Sequence, residues 1–219
     1  LPEHNILLID WSKMTMGDTF PQDFHGTIRI DPTSILINGL GTNKAVPLMP
    51  YPMFKVKPGK RYRFRVAYNG VFNCPLYIAV DGHSMLMIAS DGHNFEPLEV
   101  DAFMIFSGER YDFILRTWDD VKDNFWIRFK GHGRCSGAAF QAAILRYDGA
   151  SDSTPEGEAT TNNTIEKDTD RVLNGLSGAS SNTTFQIVDL QPLEHDDDVA
   201  VLTSKPDKQF YISLAASVL

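Results

Sequence analysis

Most segments between residues 27 and 147 alternate apolar and polar side chains with a period of two. Tyr62, Phe64 and Val66 point one way, and Arg61, Arg63 and Arg65 point the other. The same pattern holds for Leu76, Ile78 and Val80, and for Tyr111, Phe113 and Leu115. It returns in Phe125, Ile127 and Phe129, set against Arg128 and Lys130. Successive side chains leave opposite faces of an extended chain, so this alternation predicts half-buried strands. The runs are short and end in Pro58-Gly59, Asn69-Gly70, Asp81-Gly82, Asp91-Gly92 and Ser107-Gly108, pairs that favour turns. No seven-residue helical pattern occurs; single turns are expected near Trp118–Lys122 and Gly137–Gln141. Short strands at regular spacing predict an all-β antiparallel sandwich or barrel.

The pattern changes after Asp148. From there to about Thr184 the chain is rich in Ser, Thr, Gly, Asn and Asp, with few large apolar residues. Such a composition buries too little surface to offset chain entropy, so it predicts a linker or a mobile excursion. Apolar alternation resumes at Phe185-Gln-Ile-Val-Asp-Leu190. After the polar run Glu194–Asp198, Gln209-Phe-Tyr-Ile-Ser-Leu214 reads as one more strand, which needs further polypeptide to pair with. At the other end, Leu1-Pro-Glu-His-Asn-Ile-Leu-Leu-Ile-Asp-Trp11 has neither the basic start nor the small-residue cleavage site of a signal peptide. It reads as a strand already under way, as in a chain that begins mid-protein.

Charge follows the same division. The 219 residues carry a formal charge of -8. Residues 1–150 hold 16 acidic and 16 basic side chains, whereas residues 151–219 hold 12 acidic and 4 basic. The folded part is therefore neutral and the extension acidic. No basic stripe interleaved with aromatics is present, which argues against nucleic-acid binding. No run of about 18 apolar residues exists to span a membrane as a helix. Two cysteines, Cys74 and Cys135, permit one disulfide, and two Asn-x-Thr acceptors for glycosylation occur at Asn162 and Asn182. Together these favour a secreted, oxidising location.

A family resemblance rests on linked motifs. They are Ser34-Ile-Leu-Ile-Asn-Gly-Leu-Gly41, Phe54-Lys-Val-Lys-Pro-Gly-Lys-Arg-Tyr-Arg-Phe-Arg-Val66, Leu76-Tyr-Ile-Ala-Val-Asp-Gly-His83, Met87-Ile-Ala-Ser-Asp-Gly92 and Val100-Asp-Ala-Phe-Met-Ile-Phe-Ser-Gly-Glu-Arg-Tyr-Asp-Phe-Ile-Leu115. This succession resembles the central cupredoxin (plastocyanin-like) domain of three-domain multicopper oxidases, closest to the animal laccase-like branch. Periodicity alone leaves immunoglobulin-like and cupredoxin sandwiches open; the resemblance implies the cupredoxin Greek key. It also implies a division into a second cupredoxin domain over 1–149, a polar linker over 150–184, and over 185–219 the interdomain connection with the first strand of an incomplete third domain.

The resemblance implies a secreted laccase-like enzyme that removes electrons singly from phenolic or diphenolic substrates and reduces dioxygen to water. The central domain would bridge the flanking cupredoxin domains and line the substrate pocket. The matching pocket residue is Asp91, whose carboxylate would accept the proton released as a phenol is oxidised. In animal laccase-like members a Cys occupies each of the positions of Cys74 and Cys135, implying a disulfide worth ~4 kcal/mol in the chain-entropy model. Arg110 and Tyr111 match a motif common in the family, and Arg110, able to make bidentate contacts with a carboxylate, reads as a structural link rather than a catalytic group. Alternatives at the level of the parent protein are a ferroxidase-type metal oxidase and a non-catalytic secreted scaffold.

Copper itself is expected on other domains. A blue copper centre needs two His, a Cys thiolate and usually a Met. Cys74 precedes His83 and Met85 at the wrong spacing, no His lies soon after Cys135, and none of the six histidines forms a His-x-His pair. No metal site and no catalytic residue are expected in this chain alone. The two Asp-Gly-His sequences, 81–83 and 91–93, read as turns rather than a metal repeat. Cys135 reads as a disulfide partner rather than a ligand with His132. Met85, Met87 and Met104 read as core filler, and His195 with Asp196–Asp198 as a solvated loop.

Overall fold

The computed structural model describes residues 1–12, 32–42, 49–72, 74–136, 139–159, 170–175, 183–194, 205–206 and 208–212. The alternating segments form strands in two facing sheets. One sheet holds β1 (Glu3–Trp11), β2 (Ser34–Ile37), β4 (Arg61–Tyr68), β6 (Met85–Ser90), β7 (His93–Val100) and β9 (Arg110–Arg116). The other holds β3 (Met53–Val56), β5 (Leu76–Val80), β8 (Ala102–Ile105), β10 (Asn124–Gly131), β11 (Phe140–Tyr147), β12 (Val172–Leu173) and β13 (Thr184–Phe185). Across the first sheet the order is β2-β1-β4-β9-β6-β7, and across the second β13-β12-β8-β5-β10-β11-β3. The chain crosses between sheets at β2–β3, β3–β4, β4–β5, β5–β6, β7–β8, β8–β9 and β9–β10. Most neighbours are antiparallel; β1–β4, β3–β11, β8–β12 and β12–β13 are parallel.

The core is what the period of two predicts. Phe64, Val66, Ile78, Tyr111, Phe113, Leu115, Ile127 and Phe129 are all buried between the sheets. Phe64 faces Phe113 in register, and their rings stack at 5.1 Å. Burying each of these side chains removes enough apolar area to contribute about 1.5–3 kcal/mol before entropy is counted. Met85 and Met87 lie in this core, and Met104 is buried on the opposite face of its sheet. The N-terminal segment is a strand, as read. At 137–141, Phe140–Tyr147 is strand; the short 3-10 turn falls just before, at Gly133–Cys135.

Three readings need correction. Arg128 does not point to solvent: it is buried, with Asp81 accepting from its Nε and Nη2 at 2.7 Å each and the Glu158 carbonyl accepting from Nη1 at 2.7 Å. The reason is a third layer that strand periodicity does not encode. That layer comes from the polar stretch read as a linker. Val172 and Leu173, among its few apolar residues, extend the second sheet beside β8 and are buried. Finally, the two apolar C-terminal segments are not extended strands over their described lengths. Phe185 ends a two-residue strand and Ile187–Asp189 forms a 3-10 turn. Residues 208–212 carry no regular structure, with Phe210, Tyr211 and Ile212 exposed; no strand edge among the described residues reaches them.

Candidate functional site

A bulge in β6 shapes the candidate site. Met87 pairs with Phe113 but Ala89 with Asp112, so one extra residue is accommodated at Ile88. Bulges re-aim a strand end, and here the strand runs on into the Asp91–Gly92 turn before β7. Asp91 and Gly92 have φ of +51° and +94°, the left-handed conformation for which Asp-Gly is suited in a tight hairpin.

Asp91 is held from several sides by Arg110. Its Oδ1 accepts from the Arg110 backbone N–H at 3.0 Å and lies 3.4 Å from Nη1. Its carbonyl accepts from Arg110 Nη2 at 3.1 Å, and its own N–H donates to the Arg110 carbonyl at 2.9 Å. About half of the Asp91 side chain nevertheless remains exposed. It opens on a concavity of about 420 Å³ on the outer face of the first sheet, whose lining includes Asn5, Arg63, Arg65, Arg110 and Asp112. Asp112 is tied to Arg63, whose Nε donates to it at 2.9 Å and whose Nη2 also contacts it. Arg65 Nη2 donates to Glu3 at 3.1 Å, an exposed pair that lowers the Glu3 carboxyl. Chemically, the concavity offers fixed carboxylates beside guanidinium donors, a setting that can accept a proton and orient an anion. Asp91 thus occupies the turn position and also borders a pocket.

The neighbouring Tyr111 ties the C-terminal segment to the sandwich. Its hydroxyl accepts from Asn174 Nδ2 at 2.8 Å, and burial pushes its phenol above the usual value. Asn174 has φ of +58°, and its Oδ1 accepts from the Ile187 N–H at 3.0 Å, so one side chain pins the C-terminal segment to the sandwich. Sequence reading missed this anchor, although Asn174-Gly175 carries a turn signal. It also missed Asp10, a buried carboxylate that accepts from the Val71 and Phe72 N–H groups.

Cys74 and Cys135 form the expected disulfide, with Cα atoms 5.4 Å apart and 61 positions apart in sequence. The bridge joins the entrance of β5 to the 3-10 turn, and it leaves Cys135 unable to act as a ligand beside His132. The two Asp-Gly-His sequences separate in space and in role. His93 is exposed at the start of β7. His83 is buried, its Nδ1 2.7 Å from the Asp81 carbonyl and its Nε2 2.6 Å from the Tyr147 hydroxyl. The Tyr147 oxygen also accepts from the Trp118 N–H at 2.9 Å, so its own proton goes to His83 Nε2. His83 is therefore neutral with the proton on Nδ1, and burial lowers its pKa. Among the described residues no three His, Cys, Asp or Glu side chains gather as metal ligands. Asn162, Asn182, His25, His195 and Asp196–Asp198 lie outside the described residues.

Comparison with known proteins agrees with this architecture. The family model described as multicopper oxidase matches residues 3–150. The laccase of Pycnoporus cinnabarinus is 40% identical over 170 residues, covering 73% of this chain and 29% of that protein. Laccase-2 of Trametes versicolor is 37% identical over 165 residues, with 73% and 29% covered. The chain therefore spans under a third of these relatives. The crystal structure of laccase from Botrytis aclada superposes with a TM-score of 0.62 at 27% identity, over 73% of this chain and 31% of that one. Fet3p, a multicopper oxidase that functions in iron import, gives 0.62 at 16% identity over 94% of this chain and 35% of that one, a likeness of fold alone. The sandwich is thus of the cupredoxin kind, as the motifs implied. These relatives are fungal.

Proposed function

Because the chain belongs to the multicopper oxidase family, we propose that it forms the central domain of a secreted laccase-like enzyme and supplies one wall of a phenol-binding pocket. Family membership implies copper in the parent protein. The described residues do not fit that metal, since both cysteines are locked in a disulfide and no ligand cluster forms. The contribution proposed for this chain is binding and proton handling. Flanking cupredoxin domains of the parent would hold the copper and meet dioxygen. The disulfide supports an extracellular location, and the cysteine pair supports a place near the animal laccase-like branch. No described helix is long and apolar enough to cross a membrane.

The observation that carries the reading is Asp91, a carboxylate fixed by Arg110 and half open to a concavity. Losing an electron makes a phenol strongly acidic, and a positioned carboxylate takes the proton as it is released. Two contacts from Arg110 to the carboxylate and two to the Asp91 backbone hold the group in place for that transfer, so little reorganisation is needed. In the full-length parent, Asp91→Asn is expected to lower kcat/KM for phenols by roughly 100-fold, the lower end of what a general base supplies. The loss is largest at acid pH, where the phenol is fully protonated. Oxidation of a substrate that releases no proton is expected to be spared. Phenol rates unchanged across pH would remove Asp91 from the mechanism.

A further inference from the structure

The concavity beside Asp91 has an imbalance that proton transfer does not use. Its lining carries three guanidinium groups, Arg63, Arg65 and Arg110, against two carboxylates, Asp91 and Asp112. Arg63 is committed to Asp112 through two donors. Arg110 is turned toward Asp91. Arg65 gives one hydrogen bond to Glu3, at the rim, and nearly half of its side chain stays exposed. A guanidinium has five donors in a planar fork, so Arg65 keeps a free edge toward the pocket.

The sheet register sets the spacing. Arg65 lies opposite Asp112, and Asp112 opposite Ala89, two residues before Asp91. Arg65 is therefore two strands, roughly 10 Å, across the sheet from the strand that ends at Asp91. A positive group and a proton-accepting carboxylate thus face one pocket with the width of a small aromatic molecule between their side chains. Ala67 and Ala89 contribute short apolar lining there, and Asp112, which lies between the two strands, is neutralised by Arg63.

We propose that this pocket selects phenols that carry a carboxylate on the far side of the ring. Arg65 takes the substrate carboxylate in a bidentate contact, and Asp91 faces the phenol hydroxyl. The placement keeps the two negative charges at opposite ends, with a cation beside each. This deepens the reading of Asp91 and rests on it.

The test uses the full-length protein and matched pairs of substrates: a hydroxycinnamic acid, its methyl ester, and a phenol of similar size bearing an amine. The acid is expected to have the higher kcat/KM, through KM, and raising the salt concentration should shrink its advantage. Arg65→Gln is expected to lower the acid-to-ester ratio by about fivefold, the scale of a partly exposed charge pair, and Arg65→Lys to restore part of it. Equal ratios in wild type and Arg65→Gln, or a preference for the amine, would overturn the proposal while leaving Asp91 untouched. Binding of the acid and its ester, read by ligand-observed NMR, gives a second readout independent of turnover. Should phenols not be oxidised at all, the laccase reading fails; the carboxylate pocket then stands or falls on whether Arg65→Gln abolishes the NMR preference for the acid.

Discussion

The two sheets present opposite outer faces. On the first, Arg61 and Arg65 stand exposed, Leu7 and Leu86 are largely open, and a pocket forms. On the second, Trp126, Arg128, Ala142 and Ile144 are buried, and so are Tyr77 and Met104. The sequences already differ: β4 alternates with arginines, whereas Ala102–Ile105, Phe125–Ile127 and Ala142–Leu145 are apolar on both faces, as in a sheet covered on both sides. The cover is a third layer. The carbonyls of Glu156 and Glu158 accept from Trp126 Nε1 and Arg128 Nη1, Tyr51 packs edge-on against Trp126, and Val172, on the strand beside β8, joins Tyr77 and Met104 in one buried cluster. A polar, turn-rich segment suits this role because its backbone carbonyls satisfy donors that would otherwise be stranded on a covered sheet. The open face keeps its charges solvated or paired with one another and so remains available to a ligand.

The largest way to break this asymmetry is to release the covering layer. Leu173→Ala is expected to cost about 3 kcal/mol, as for other fully buried leucines. Urea denaturation measures the loss, and faster proteolysis within 150–170 would show the segment lifting. An unchanged proteolytic pattern would mean that Leu173 is not the anchor.

A smaller effect compares one ion pair on each face. Asp81→Ala leaves Arg128 buried with only carbonyl partners and is expected to cost about 2 kcal/mol, because an uncompensated buried charge is penalised. Asp112→Ala on the open face frees the better-solvated Arg63 and is expected to cost about 1 kcal/mol or less. Equal losses in denaturation midpoints would show that the covering layer does not desolvate Arg128.

The smallest effect is one of pH. Desolvation, opposed by the Asp81 carbonyl, holds His83 below the usual value of 6.5, and burial does the same to His4. The unfolded chain therefore binds protons that the folded one refuses. Stability is complete above pH 6.5 and falls as pH drops toward the folded-state values. Stability measured across that window should decline in wild type, and less in His83→Asn. A decline of the same size in the variant would assign the acid response elsewhere, His4 first.

Much of this molecule was legible in its sequence. The inward sets of β4, β5 and β9, the turn residues and the two cysteines followed from spacing and residue type, because strand alternation and turn preference are local. The bridge between Cys74 and Cys135 was available through family motifs. The Asp91 turn could be read, but not the bulge at Ile88 that precedes it or the Arg110 contacts that fix it. Those depend on which strands become neighbours, and β6 meets β9 only after the chain has crossed to the other sheet and back.

Where the apolar faces lie could be read from each strand alone, because alternation is local. What would cover the second sheet's outer face depended on long-range packing. Burying Arg128 requires a carboxylate from one turn and carbonyls from a segment thirty residues away, and the low-complexity appearance of that segment concealed its part. Likewise Arg65 and Asp91 acquire a common pocket only through register across three strands. Local chemistry set the pattern, and long-range packing determined which donors and acceptors would meet.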